Sequence, residues 1–318
     1  MLNEILLIVL SLVLLYFGAS WLISGASSIA IRLGISPLII GLTIVALGTS
    51  MPELLVSIKA ALQGNGGISV GNVVGSNIFN IGIILGLSAM CYPIVVHAAI
   101  LRTDIPLMLF SALLFLLFFI DAQISRWEGS IFLLISVAYT YFNVKKAREA
   151  KAAVKEEFAV ALPIKQAYWL VDVLLIILGL SVLLFGSDLL VQYSVNLARR
   201  FGISDAVIGL TIVAAGTSMP ELATSVVAAI KKQPDIALGN VVGSNIYNIL
   251  IILGASSLIT PLYASGIALS DGLLMLGLSA LLVPLVRTGF VLQRWEGGLL
   301  FAIYLAYMFY LLWFNIMA

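Results

Sequence analysis

The chain contains one sequence twice. GLTIVALGTSMPEL at 41–54 returns as GLTIVAAGTSMPEL at 209–222, differing only at Leu47 against Ala215. GNVVGSNIFNI at 71–81 returns as GNVVGSNIYNI at 239–249, differing only at Phe79 against Tyr247. RWEG at 126–129 returns at 294–297, so all three pairs keep one offset, 168 residues. Such a chain folds as two copies of one unit. Each copy places an acid, Glu53 or Glu221, inside a run apolar enough to cross a bilayer. A midspan carboxylate costs roughly 3 kcal/mol to insert. Helix–helix glue is the bland role for such a residue, but a cost carried twice at matching positions points to function.

Composition names the solvent. Hydrophobic residues make up 62% of the chain and charged residues 10%, against about 45–50% and about 25% in ordinary globular domains. No soluble core absorbs that much apolar surface, so the expected class is an all-α polytopic membrane protein. The net charge of +1 gives no reason to expect nucleic acid. One cysteine, Cys91, excludes an intramolecular disulfide and a thiolate metal cage, and a buried apolar place is expected for it. His97 is the only histidine, which removes His-clustered metal chemistry. The opening MLNEILLIVL carries an acid and no base, unlike a cleaved signal peptide, and reads as the first permanent span.

The apolar runs separate at polar or Gly/Pro punctuation into about ten spans, each near the ~20 residues a bilayer requires. Their expected limits are 4–31, 37–62, 69–91, 105–120 and 129–143, then 169–198, 206–230, 237–260, 272–286 and 299–315. The organisation is a first five-helix repeat over 1–143, a charged linker over 144–167 and a second five-helix repeat over 168–318. Five is odd, so the second copy enters the membrane from the opposite side. With both termini extracellular, the cytoplasmic loops hold 12 of the Lys and Arg residues and the external loops 4, as the positive-inside bias requires. The expected architecture is therefore ten transmembrane helices in two inverted repeats, with the linker cytoplasmic. Inverted repeats with interrupted segments at matching positions are a recurrent design of secondary transporters, their site lying at the repeat interface.

The chemistry sits in the duplicated motifs. Pro52 has no N–H, so the carbonyl of Gly48 loses its helical partner and the turn opens. Freed carbonyls in lipid need protein, water or a ligand, which makes those around Ala46 to Gly48 candidate cation ligands; Pro220 does the same around Ala214. At 100° per residue, Thr49 and Ser50 lie about 40° and about 60° to either side of Glu53. Asn72, Ser76 and Asn80 form an i, i+4, i+8 stripe in the third span. The second half supplies Thr217, Ser218, Glu221, Asn240, Ser244 and Asn248. Asn72 and Asn240 suit interhelical hydrogen bonding as well as ligation. Gly71, Gly75, Gly239 and Gly243 read as close-packing positions. Asp104, Asp172, Asp188 and Asp271 fall near span ends, where an acid is tolerated, and RWEG reads as an interfacial Trp anchor with a flanking charge pair. Two carboxylates among hydroxyls, amides and carbonyls make an all-oxygen site, suited to Ca²⁺ or Na⁺ and unsuited to Zn²⁺ or Cu⁺. Competition of two cations for one pair of acids gives antiport.

GTSMPEL followed by GNVVGSNIFNI, each present twice, resembles the sodium/calcium exchangers of the Ca²⁺/cation antiporter superfamily, prokaryotic type. The resemblance covers essentially the whole chain. It implies ligation by Glu53 and Glu221, with the hydroxyls of Thr49, Ser50, Thr217, Ser218, Ser76 and Ser244, the carbonyls of Ala46 and Ala214, and Asn80 and Asn248. Some members, potassium-dependent exchangers included, carry Asp at the position of Asn248, so asparagine argues against K⁺ cotransport. Animal exchangers insert large Ca²⁺-sensing domains where this chain has a short linker. The resemblance also implies alternating access by movement of the first and sixth spans and electrogenic exchange of several Na⁺ per Ca²⁺. Ca²⁺ and Na⁺ are then cargo, no cofactor is expected, and the cell membrane is the setting, with no obligate protein partner evident. The nearest alternative is a H⁺/Ca²⁺ antiporter, against which the hydroxyls and carbonyls around each Glu argue. A passive cation channel is the alternative of another class. An enzyme is disfavoured, because no Ser/His, Cys/His or metal-His set is present.

Overall fold

The computed structural model describes residues 2–149, 168–201, 214–264, 267–287 and 289–317. Its helices follow the apolar runs of the sequence. The first half holds α1 (Leu2–Leu33), a bent pair α2 (Pro37–Thr49) and α3 (Met51–Leu62), α4 (Gly66–Cys91), α5 (Ala98–Asp121) and α6 (Arg126–Glu149). The second holds α7 (Trp169–Arg200), α8 (Ala214–Gly216) and α9 (Met219–Ile230), α10 (Pro234–Ile259), α11 (Leu269–Arg287) and α12 (Arg294–Met317). Among the described residues, six helices are long and apolar enough to cross a membrane, or seven if the bent pair counts as one span. Residues 150–167 of the linker expected at 144–167 lie outside the described residues. Its first part is helical, because α6 continues past 143 to Glu149.

Two features of the backbone lie outside an all-helical reading. The strands β1 (Ile94–Val95) and β4 (Val291–Leu292) pair antiparallel, as do β2 (Gln123–Ile124) and β3 (Leu262–Tyr263). A shift of 168 residues turns β1 into β3 and β2 into β4, so the two ribbons are one contact with the halves exchanged. Glycines repeat the pattern. A Cβ on Gly297 would lie 2.6 Å from the Gly86 carbonyl, and one on Gly129 would lie 2.9 Å from the Gly254 carbonyl. The glycine of each RWEG thus lets a terminal helix of one half touch the backbone of the other. Its glutamate acts locally: Glu128 accepts from the Ser125 amide at 2.6 Å and Glu296 from the Gln293 amide at 2.7 Å, capping α6 and α12. The glutamate of the charge pair flanking each Trp makes this cap, while Trp127 and Trp295 stand 82% and 67% exposed, as anchors do.

Helices α1 and α7 form a closely packed pair. A Cβ on Gly179 would lie 2.5 Å from the Leu22 nitrogen, and one on Gly25 2.6 Å from the Asp172 carbonyl. Arg32, at the end of α1, pairs with Asp172, at the start of α7, while Glu4 meets Arg200 at 2.7 Å. The two helices therefore run antiparallel. At 32 residues each they measure about 48 Å, more than enough to cross a ~30 Å hydrocarbon layer. The remaining long helices enclose α4 and α10, whose apolar side chains join one buried cluster drawn from both halves.

Two placements differ from expectation. Cys91 is exposed at the end of α4, where the helix has already left the packed interior. Asp188 lies twenty residues into α7 and is exposed, so it is not a span-end acid. The other three acids do have local partners: Tyr139 donates to Asp104 at 2.9 Å, Tyr307 to Asp271 at 3.0 Å, and Arg32 to Asp172. Of the four glycines expected to pack closely, Gly239 and Gly243 meet backbone of the opposite half, a Cβ on either lying 2.8 Å from a carbonyl of Leu38 or Leu42; Gly71 meets the Ile267 side chain at 3.0 Å, and Gly75 faces open space.

Candidate cation site

The chain breaks where proline requires it. Ser50 (φ −81°, ψ 9°) separates α2 from α3, which meet at 45°, and Pro52 occupies the first turn of α3, where its missing N–H is harmless. Ser218 (φ −89°, ψ 9°) stands in the same way before α9. The break brings Glu53 and Glu221 into the first turns of α3 and α9, at helix N-termini that favour anionic side chains. Both carboxylates are 1% exposed. Residues 202–213 lie outside the described set, so α2 has its described counterpart only in α8, which begins at Ala214.

The carboxylates are held by the opposite half. Ser50 donates to Glu221 Oε1 at 2.8 Å and Ser218 donates to Glu53 Oε1 at 2.8 Å. Ser50 also bonds Ser244 Oγ at 3.0 Å, and Ser218 bonds Ser76 Oγ at 3.1 Å. Thr49 donates to Asn240 Oδ1 at 3.1 Å and Thr217 to Asn72 Oδ1 at 3.5 Å. Every one of these bonds joins one half to the other. Asn80 and Asn248 arrive from α4 and α10, each at the first residue of a π-helical stretch, Asn80–Leu85 and Asn248–Leu253. A π-stretch adds a residue per turn and re-aims the side chain at its start, as it does at many functional sites.

Among the described residues, the buried oxygens left without a hydrogen-bond partner include Glu53 Oε2, Glu221 Oε2, Asn80 Oδ1 and Asn248 Oδ1. A buried acceptor without a donor is destabilising, by about 1–3 kcal/mol. Here the four come as two pairs related by the repeat, and all belong to the predicted set. Acceptors of this kind suit a desolvated cation. The Ala46 carbonyl stands differently: it accepts from the Ser50 amide at 3.1 Å and from Thr49 Oγ1 at 3.4 Å. Among the described residues no three of His, Cys, Asp and Glu gather, which leaves the two glutamates as the acids of the site.

The choice left open for Asn72 and Asn240 falls on structure. Asn72 Nδ2 donates to the Glu53 carbonyl at 3.1 Å and to Ser57 Oγ at 2.9 Å; Asn240 Nδ2 donates to the Glu221 carbonyl at 3.3 Å and to Ser225 Oγ at 3.0 Å. They anchor the backbone behind each acid. Sequence reasoning missed Ser57 and Ser225, although each lies four residues after its glutamate and so on the same helix face. It also missed Asn77 and Asn245, which stand off the i, i+4 stripe and meet each other's half.

Comparison with known proteins places this arrangement. The family model described as "Sodium/calcium exchanger protein" matches residues 3–145 and again residues 171–313, once per half. The sodium/calcium exchanger MaX1 of Methanosarcina acetivorans is 36% identical, over 95% of this chain and 97% of that protein. The putative antiporter CaxA of Alkalimonas amylolytica is 44% identical over 82% of each chain. Among solved structures, the sodium-calcium exchanger NCX_Mj soaked with zero Na⁺ and Ca²⁺ superposes with a TM-score of 0.84 at 33% identity, over 97% of this chain and 98% of that one. With both halves matched and the resemblance running through whole chains, this protein belongs to the sodium/calcium exchanger family, as a prokaryotic membrane exchanger of the Ca²⁺/cation antiporter superfamily.

Proposed function

We propose that this exchanger moves Ca²⁺ against Na⁺ across the cell membrane by alternating access, through one site shared by both ions. The observation that carries the reading is the set of four donor-less oxygens on Glu53, Glu221, Asn80 and Asn248, framed by serines that reach across the repeat. Ca²⁺ takes about 6–8 oxygens at adaptable geometry. The four oxygens, with the hydroxyls of Ser50, Ser218, Ser76, Ser244, Thr49 and Thr217 and the carbonyls of Ala46 and Ala214, are the ligand set we assign. One Ca²⁺ balances both glutamates. Na⁺ ions balance the same charge one at a time, and a bare buried pair is costly, so the site crosses the membrane loaded with one cargo or the other. Exchange of several Na⁺ for each Ca²⁺ moves net charge.

The same reading gives the membrane arrangement: ten spans, two inverted five-helix repeats, both termini outside and the linker inside. Its support is geometric. Equivalent helices α1 and α7 run antiparallel, and the ribbon contacts join the loop after α4 to the loop after α11, and the loop after α5 to the loop after α10. Those pairings bring loops to a common face when the second repeat is inverted, and to opposite faces when it is parallel.

Reconstituted into liposomes, the protein should take up Ca²⁺ when an outward Na⁺ gradient is imposed, with a rate that responds to membrane potential. Uptake that follows a pH gradient at fixed Na⁺, and ignores the Na⁺ gradient, would establish proton coupling instead. Currents far above carrier turnover would establish a channel.

A further inference from the structure

We infer that Asn77 and Asn245 are positioning residues that decide which end of Asn248 and Asn80 the transported cation meets. The inference rests on the exchange reading above and concerns groups that do not themselves reach the site. Asn77 Oδ1 accepts from Asn248 Nδ2 at 3.0 Å, and Asn245 Oδ1 accepts from Asn80 Nδ2 at 3.0 Å. Each bond crosses between the halves, and the two are the same bond with the halves exchanged.

An asparagine amide has an acceptor end and a donor end of nearly equal size, and a half-turn about its last torsion interchanges them. For a cation the difference is large: the oxygen attracts it and the NH₂ repels it. Asn248 and Asn80 need their NH₂ groups held elsewhere if their oxygens are to face the glutamates. Asn77 and Asn245 do the holding. Both amides then leave Oδ1 without a donor among the described residues, as Glu53 Oε2 and Glu221 Oε2 are left.

The holders are themselves oriented. Asn77 Nδ2 donates to the Asn245 carbonyl at 3.3 Å and lies 3.5 Å from Met275 Sδ, while Asn245 Nδ2 lies 3.6 Å from Met108 Sδ. Turning Asn77 over would set its NH₂ against the NH₂ of Asn248 and its oxygen against a carbonyl and a thioether sulfur. Those contacts pair donor with donor and acceptor with acceptor. Only one orientation satisfies the cluster, and every polar atom of Asn77 and Asn245 is satisfied in it. The orientation set at Met275 and Met108 is thereby passed through two amides to the ligand oxygens.

A carboxylate at position 248 would need no such guide, because both of its ends are acceptors. This separates positioning from packing. The test compares Asn77→Leu in the unaltered protein and in an Asn248→Asp background, reading half-saturating Ca²⁺ for Na⁺-driven uptake and, in detergent, direct ⁴⁵Ca²⁺ binding. Asn77→Leu alone should raise half-saturation by about tenfold or more, the effect of losing one oriented ligand. In the Asn248→Asp background the same substitution should change it less than twofold, a non-additivity that marks coupling through Asn248. An equal loss in both backgrounds would reduce Asn77 to packing, and no change in the unaltered protein would remove it from the site altogether. Asn245→Leu with Asn80→Asp repeats the test in the other half should Asn77→Leu not fold. Ca²⁺ binding without Na⁺-driven uptake in the unaltered protein would overturn the coupling, while the binding measurements would still decide the amides.

Discussion

A carboxylate carried into a membrane interior persists when its charge is answered, and Glu53 and Glu221 are each answered from the opposite half. Ser218 and Ser50 donate one bond apiece to Glu53 and Glu221, and the second oxygen of each acid has no hydrogen-bond partner among the described residues. Glu53→Gln or Glu221→Gln puts an NH₂ where a cation would sit and removes half the site's charge. A desolvated charge contact of this kind is worth about 3 kcal/mol or more, so Ca²⁺ affinity should fall at least ~100-fold. Transport assays on either variant check this, and full activity in one of them would move the site elsewhere. Ser50→Ala and Ser218→Ala each delete one charge-assisted bond, worth about 1.5–3 kcal/mol, and should weaken Ca²⁺ binding about tenfold to similar extents, because they do equivalent work in the two halves. The acids, the hydroxyls and the Asn80/Asn248 pair were legible because the motifs repeat and their polar residues share one helix face. Asn77 and Asn245 were not. They sit on a second face, and a helix needs two polar faces only when it is enclosed on all sides, which is a property of the assembled halves.

At the scale of elements, the break before each glutamate was readable from Pro52 and Pro220, and its cause is local chemistry. The bend of 45° falls at Ser50, between α2 and α3. Pro52→Ala restores an amide that can rejoin the helix to Gly48, and the segment should straighten. We expect a folded protein with weakened Ca²⁺ binding, because Thr49 and Ser50 would turn away from Asn240 and Glu221. Unchanged affinity would show that the bend is set by packing and not by proline. The π-stretches that begin at Asn80 and Asn248 left no mark in the sequence. They depend on how the two enclosed helices fit, and the residues NIGIIL and NILIIL read as ordinary apolar helix. The two-residue ribbons were equally silent, being too short to show an alternating pattern. What the RWEG repeat does signal, a helix start with a glycine beside it, is clear once the cap and the backbone contact are seen together.

The whole molecule is two copies in unequal surroundings. Helix α1 packs along α9, where Lys231 reaches Ser20, donating to its hydroxyl at 2.5 Å and its carbonyl at 3.2 Å, and Ser27 donates to Gln233 at 2.8 Å. Among the described residues, its repeat partner α7 makes no contact of that extent with α3. The contact therefore runs along the later half of α1, the half that ends where Arg32 meets Asp172 at the start of α7. If α1 moves in the alternating access proposed above, this contact closes the side nearer Arg32 and Asp172. Lys231→Met removes the tether without touching the glutamates or their serines. Loss of a charge-assisted bond of about 1.5–3 kcal/mol shifts the balance between the two states about tenfold or more toward the one open on that side. Apparent affinity scales with the fraction of protein competent to bind. Half-saturating Ca²⁺ should thus fall on that side and rise or stay level on the other, measured in proteoliposomes of each orientation. An equal change on both faces, or none, would mean that α1 is a fixed wall of the protein and that another element moves.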